Sequence, residues 1–161
     1  MIRLFLAVIA LMSLSIQGAA ASSSCYSMAE AEAEQGIRIH SELMVIGLNC
    51  QNMRFSDGTN LYAEYRKFTA EHGDIFANYE NTLLNYYKVH GVNDPEAKLN
   101  TLRTEFANQI SMDAASMRPD LFCNRYAGRL MQAVGFSGSQ IRQWAATIYP
   151  SHPVSNPICE Q

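Results

Sequence analysis

Four kinds of side chain in this 161-residue chain could do chemistry: thiols, imidazoles, clustered carboxylates, and a serine flanked by glycines. The cysteines are Cys25, Cys50, Cys123 and Cys159, and none forms a CxxC or a Cys/His pair with metal-ligand spacing. A catalytic thiol must stay reduced and needs a nearby base or a helix N-terminus to lower its pKa. Cys50, in "VIGLNCQ", falls late in an apolar, helix-like run with no histidine near it in sequence, so it reads as structural. His40, His72, His90 and His152 are scattered, and no HExxH pair places two imidazoles on one helical face; capping or solvent-exposed roles are expected. Glu30, Glu32 and Glu34 alternate through an Ala-rich helical segment, the pattern of a solvated face. "GFSGS" at Gly135 to Ser139 approaches the nucleophile elbow, but it ends in serine where glycine is required and no strand precedes it. It reads instead as a helix cap. "SDGTN" carries too few spaced carboxylates for an EF-hand. A hydrolase would have to assemble residues as dispersed as Glu42, His72 and His90. The expectation is no catalytic residue, no metal and no cofactor. One polar pair stands out: "TEFANQIS" puts Asn108 and Ser111 beside the apolar Phe106 and Ile110, so a buried polar contact is expected there. It would fix interhelical register or else line a groove.

The chain's beginning bears on compartment. Met1-Ile-Arg3 is a short basic start, Leu4 to Leu14 is nearly all apolar, and Gly18 to Ala21 supplies small residues suited to signal peptidase. Residues 1–21 read as a cleaved secretory signal. The apolar run is shorter than the ~20 residues a membrane-spanning helix needs. Lipidation at Cys25 in "SSSC" is the other alternative, but Ser22 occupies the position where bacterial lipoprotein sites carry leucine. The protein is therefore expected to be exported, to the periplasm or beyond, with no stable membrane insertion after cleavage. Its formal charge of −3 becomes −4 when Arg3 leaves, which gives no basic footprint for nucleic acid. The remaining stretch, 22–161, suits one domain burying roughly 70% of its unfolded surface.

An even set of cysteines in an exported chain predicts two disulfides. Cys50 and Cys123 both lie on apolar helical stripes and can meet in a core, whereas Cys25 and Cys159 lie in Ser-rich and Pro-rich ends that would otherwise fray. The favoured pairing is Cys50 with Cys123 and Cys25 with Cys159. The sequential pairing, Cys25 with Cys50 and Cys123 with Cys159, stays open.

The elements that must position these residues are helical throughout. Ile39, Leu43, Ile46, Cys50 and Met53 mark the inner face of one long helix, or of two joined at Gly36. After "RFSDGTN", a helix over about 60–72 turns Leu61, Tyr65 and Phe68 inward, and another over 74–90 turns in Phe76, Tyr79, Leu83 and Tyr87. Both end in His-Gly, with the glycine suited to the left-handed position and the imidazole to the negative end of the dipole. "NDPEA" caps a fourth helix with Leu99, Leu102, Phe106 and Ile110 inward, to about Ser116. A fifth opens near Pro119 with Phe122, Tyr126, Leu130 and Val134 inward. The Ser137 to Gln140 capping box starts a sixth, which ends before Pro150. The fold class is all-α: a single-domain antiparallel bundle of five to six helices.

"ELMVIGLNC" at Glu42 to Cys50, the aromatic-rich middle with Tyr62, Phe68, Leu83 and Tyr87, then Thr104, Ala107-Asn108, Ser111 and "LFC" ending at Cys123 together resemble a group of small exported, cysteine-paired helical bacterial proteins of uncharacterised activity. The resemblance spans about Glu42 to Cys159. It implies a secreted helical module with paired cysteines and supplies no reaction. The functional expectation is a non-enzymatic exported protein that acts by binding a protein partner in the cell envelope. The alternative is an immunity or inhibitor protein that neutralises a toxin or hydrolase there.

Overall fold

A computed structural model describes residues 24–53, 55 and 57–160; the expected signal peptide at 1–21 lies outside them. The order is α1 (Met28–Asn49), α2 (Leu61–Glu71), α3 (Gly73–Val89), α4 (Pro95–Ser116), α5 (Pro119–Val134) and α6 (Gly138–Ala145). Local chemistry accounts for most of the boundaries. Ser27 and Glu30 form a capping box on α1, Asn60 accepts from Ala63 N to start α2, and Asp94 accepts from Ala97 N ahead of Pro95. Ser137 and Gln140 form a second capping box, on α6.

α1 runs unbroken through Gly36, and the glycine there allows close approach. A Cβ at this position would lie 2.2 Å from Tyr79 Cδ2, so α3 sits against α1 closer than any side chain permits. The two His-Gly sites also differ from each other. Gly91 has φ +71°, as expected after a helix, but Gly73 is already the first residue of α3. His72 alone separates α2 from α3 and caps both, so it faces the negative end of one dipole and the positive end of the next.

α1 packs against each of the other five helices, so the bundle is organised around its first element. Leu43 and Ile46 of α1, Leu61 and Phe68 of α2, Leu83 of α3, Leu99 of α4, Phe122 and Leu130 of α5 and Ile141 of α6 close one continuous core. In α5 the buried face turns toward Cys123, Ala127 and Ala133, leaving Tyr126 and Val134 half-buried.

The cysteines pair as favoured. Cys50 and Cys123 join the end of α1 to α5 inside the core, with Cα atoms 5.7 Å apart, and Cys25 joins Cys159. Beside the second bond, Tyr26 N donates to Pro157 O and Cys159 N to Tyr26 O, a single parallel bridge that is the only sheet-like pairing among the described residues. The described residues thus form an all-α bundle of six helices with two disulfides. Among the described residues no helix is long and apolar enough to cross a membrane.

Candidate functional site

The unusual chemistry of the molecule lies on α1. Glu34, Arg38 and Glu42 follow one another at helical spacing on a single face, with Gln35 and Ser41 beside them, and all five are buried. Charged groups removed from water must be matched by partners or the fold loses several kcal/mol. The partners come from the far end of the chain. Residues 148–159 follow α6 as a non-helical strap that turns at Tyr149 to His152 and then lies on α1 through His152, Pro153 and Ser155. Gln35 Nε2 donates to His152 O at 2.6 Å, Arg38 Nη2 to Pro153 O at 3.0 Å, and Ser155 N to Glu34 Oε1 at 2.7 Å. Ser155 Oγ also donates to Glu34 Oε2.

Arg38 makes two further contacts. Its Nη1 donates to Gln109 Oε1 at 2.9 Å, and its guanidinium lies 3.9 Å over the Phe106 ring. Burial pulls its pKa down while Glu42 and Glu34 push it back up. Near the strap, burial drives the Tyr26 phenol upward, and the adjacent Glu34 carboxylate adds to the shift.

At the other end of this polar seam Arg129 of α5 reaches Glu42 with Nη1 2.7 Å from Oε2. Its guanidinium also lies 5.4 Å from the Trp144 ring of α6. A polar cavity of about 120 Å³ opens here, between Glu42, Gln109, Asp113, Tyr126, Arg129 and His152. Arg129 and His152 also belong to a wider groove of about 600 Å³, whose walls include Gln132, Phe136, Trp144 and Tyr149. α5 and α6 form one wall and the strap forms the other. Phe136 meets Trp144 edge to face at 5.8 Å, and Tyr149 is half exposed at the rim.

The groove combines aromatic surface, glutamine amides and one paired cation. Ser151 Oγ lies 2.8 Å from His152 Nδ1, but this contact joins adjacent residues of the strap, and the Glu42 carboxylate is engaged by Arg129. The arrangement suits recognition through aromatic contact and hydrogen bonds.

Several sequence expectations are corrected. Asn108 is exposed on α4 and Ser111 is only half-buried, so neither forms the expected buried polar contact. Asn108 lies two residues from both Phe106 and Ile110, which places it opposite the inward stripe. Its neighbour Gln109, on the edge of that stripe, bonds Arg38. The Glu30, Glu32, Glu34 series is not one solvated face: Glu30 caps α1, Glu32 accepts from Tyr79 Oη at 2.8 Å, and Glu34 is fully buried. The histidines occupy separate elements. His40 stacks on Phe76 at 4.4 Å within the bundle, His72 joins α2 to α3, His90 contacts Tyr86 O through Nδ1 at 2.8 Å, and His152 belongs to the strap. The groove itself was missed. Its one sequence signal was Trp144, the sole tryptophan, in a short helix followed by Tyr149.

No protein-family model, curated protein or solved structure matches the chain.

Proposed function

We propose that the protein is a non-enzymatic exported protein of the periplasm or extracellular space, and that it acts by binding a protein partner through the α5–α6–strap groove. The observation that carries this reading is the groove itself: a recess of about 600 Å³ with an indole packed edge to face on Phe136 at its wall. Aromatic surface on a cross-linked frame loses little entropy on association. Arg129 is the cation at the groove and His152 adds an imidazole, so a partner loop carrying amide, hydroxyl or carboxylate groups beside an apolar side chain fits its chemistry. The two disulfides and the resemblance to small exported helical proteins support the export part of the reading.

An immunity or inhibitor role is the second reading, and the cross-linked frame favours it, since inhibitors bind with little change of shape. The test is affinity capture from envelope extracts followed by calorimetry with the purified partner, comparing the native protein with Trp144→Ala and Leu121→Ala. Leu121 is exposed on α5 and is not part of the groove. Trp144→Ala should weaken binding by about 30-fold or more, as loss of a central aromatic anchor does. Leu121→Ala should leave it unchanged. Equal affinity for both variants refutes the groove reading. One stoichiometric enzyme partner whose activity is blocked selects the inhibitor role.

A further inference from the structure

The strap forms one wall of the groove, and the bond that closes it is chemically unlike the bond that closes the core. Cys50 and Cys123 are completely buried, whereas Cys25 and Cys159 are partly open to solvent. Thiol–disulfide exchange requires direct attack on a sulfur, so access decides which bond reacts first. We propose that Cys25–Cys159 is a redox latch on the groove: a dithiol reductant opens it, releases the strap and removes the groove's second wall, while the Cys50–Cys123 bond keeps the bundle folded. This rests on the groove reading above, since it concerns how that site is assembled.

The exchange balances as follows. A thiolate of the dithiol attacks Cys159 Sγ, forming a mixed disulfide and expelling the Cys25 thiolate. The second thiol of the reductant then attacks its own sulfur in the mixed disulfide and frees Cys159. Two electrons and two protons pass to Cys25 and Cys159, and the reductant leaves as a disulfide.

What happens next follows from the contacts beneath the strap. After reduction it is held by the Tyr26 bridge, by hydrogen bonds to Tyr26, Glu34, Gln35 and Arg38, and by Ile148 and Val154, which are only partly buried against the core. Each such bond is weak on balance against water. Opening also returns a buried carboxylate and a buried guanidinium to solvent, which offsets much of what those bonds contribute. Thr147 stays bonded to the end of α6, while Tyr149, Ser151 and His152 move away together and Trp144 loses the wall opposite it.

Trp144 is the sole tryptophan, so its fluorescence reports on the groove without any ligand. The experiment titrates the oxidised protein with dithiothreitol at neutral pH. It follows each cysteine by differential alkylation and mass spectrometry, backbone amides by hydrogen exchange, and Trp144 by acrylamide quenching. Cys25 and Cys159 should become alkylatable first. The Tyr26, Ser155 and Cys159 amides should then exchange roughly tenfold faster or more, as local opening requires. Quenching should rise while helical circular dichroism holds. The double variant Cys25→Ser/Cys159→Ser should show the same signature without reductant. Simultaneous opening of all four cysteines with loss of helix overturns the proposal. So does an opened latch with unchanged exchange and quenching, or a double variant without a cooperative melt. A latch that opens as expected in a protein whose partner binding is indifferent to Trp144→Ala refutes the groove reading and leaves the latch standing.

Discussion

Replacing Gly36 by alanine sets two physical effects against each other, and the structure decides between them. Helix propensity favours alanine in a helix interior by about 1 kcal/mol. The added methyl, however, would sit 2.2 and 2.3 Å from Tyr79 Cδ2 and Cε2, where tolerable contact begins near 3.4 Å, so ring and helix must part by about 1.2 Å. Tyr79 cannot readily give way. It is almost fully buried, and its hydroxyl is held by Glu32 at 2.8 Å. Overpacking of this kind costs about 3 kcal/mol at the upper end of its usual range. The net expectation is a loss of roughly 2 kcal/mol, or about 4–8 °C in melting temperature for a domain of this size. Urea unfolding of the oxidised protein by circular dichroism measures it. The same substitution in a Tyr79→Ala background should instead stabilise by up to about 1 kcal/mol, giving a coupling near 3 kcal/mol. If Gly36→Ala is neutral or stabilising in the native background, the close approach of α3 to α1 is wrong. Gly36 would then be the helix joint that its residue type alone suggests.

Further expectations follow from the core, the strap and His40. Substituting serine for both Cys50 and Cys123 removes a cross-link spanning 73 residues and should lower stability by roughly 4 kcal/mol in the chain-entropy model, read from denaturant midpoints. Glu34→Ala leaves Ser155 N without its acceptor and should lower stability by about 1–3 kcal/mol, with the fastest gain in hydrogen exchange at Ser155 and not in α2. Burial holds the His40 pKa below its ordinary 6.5, with Arg103 adding to the effect and Glu80 opposing it. The unfolded chain therefore binds the proton first, so stability should fall as pH drops below about 6.5 and level off below the folded pKa. His40→Gln should flatten that part of the stability–pH curve, and an unchanged slope would refute the assignment.

Features set by neighbours in sequence were legible, and those set by distant partners were not. Asp94-Pro95 and the Ser137 capping box announce α4 and α6 because a cap is satisfied within three residues. The inward stripes of α2, α3 and α4 follow from helical period alone. Cys50 and Cys123 could be paired because both lie on such stripes. Glu34 looked solvated because its partner, Ser155, lies 121 residues away and nothing local signals it. Gly36 looked like a joint for the same reason, since the ring that requires it belongs to another helix. Asn108 was a different failure, one of phase, in which an adjacent position was taken for an inward one. The groove depends on α5, α6 and the strap meeting in space, which no single stretch encodes.

The central position of α1 has a consequence for the order in which the protein becomes itself. A chain made or threaded from its N-terminus presents the hub first and the parts that complete it last. Until Ser155 arrives, Glu34 lacks its Ser155 donors, and until Pro153 arrives, Arg38 Nη2 lacks its carbonyl. The apolar face of α1 can pack as the other helices arrive, but its polar face stays hydrated until the strap covers it. Burial of that polar face, as distinct from packing of the apolar core, is thus deferred until residues 152–155 have been made. A truncation that removes the strap would not trim an appendage; it would leave a folded bundle whose α1 carries Glu34 and Arg38 uncovered to water.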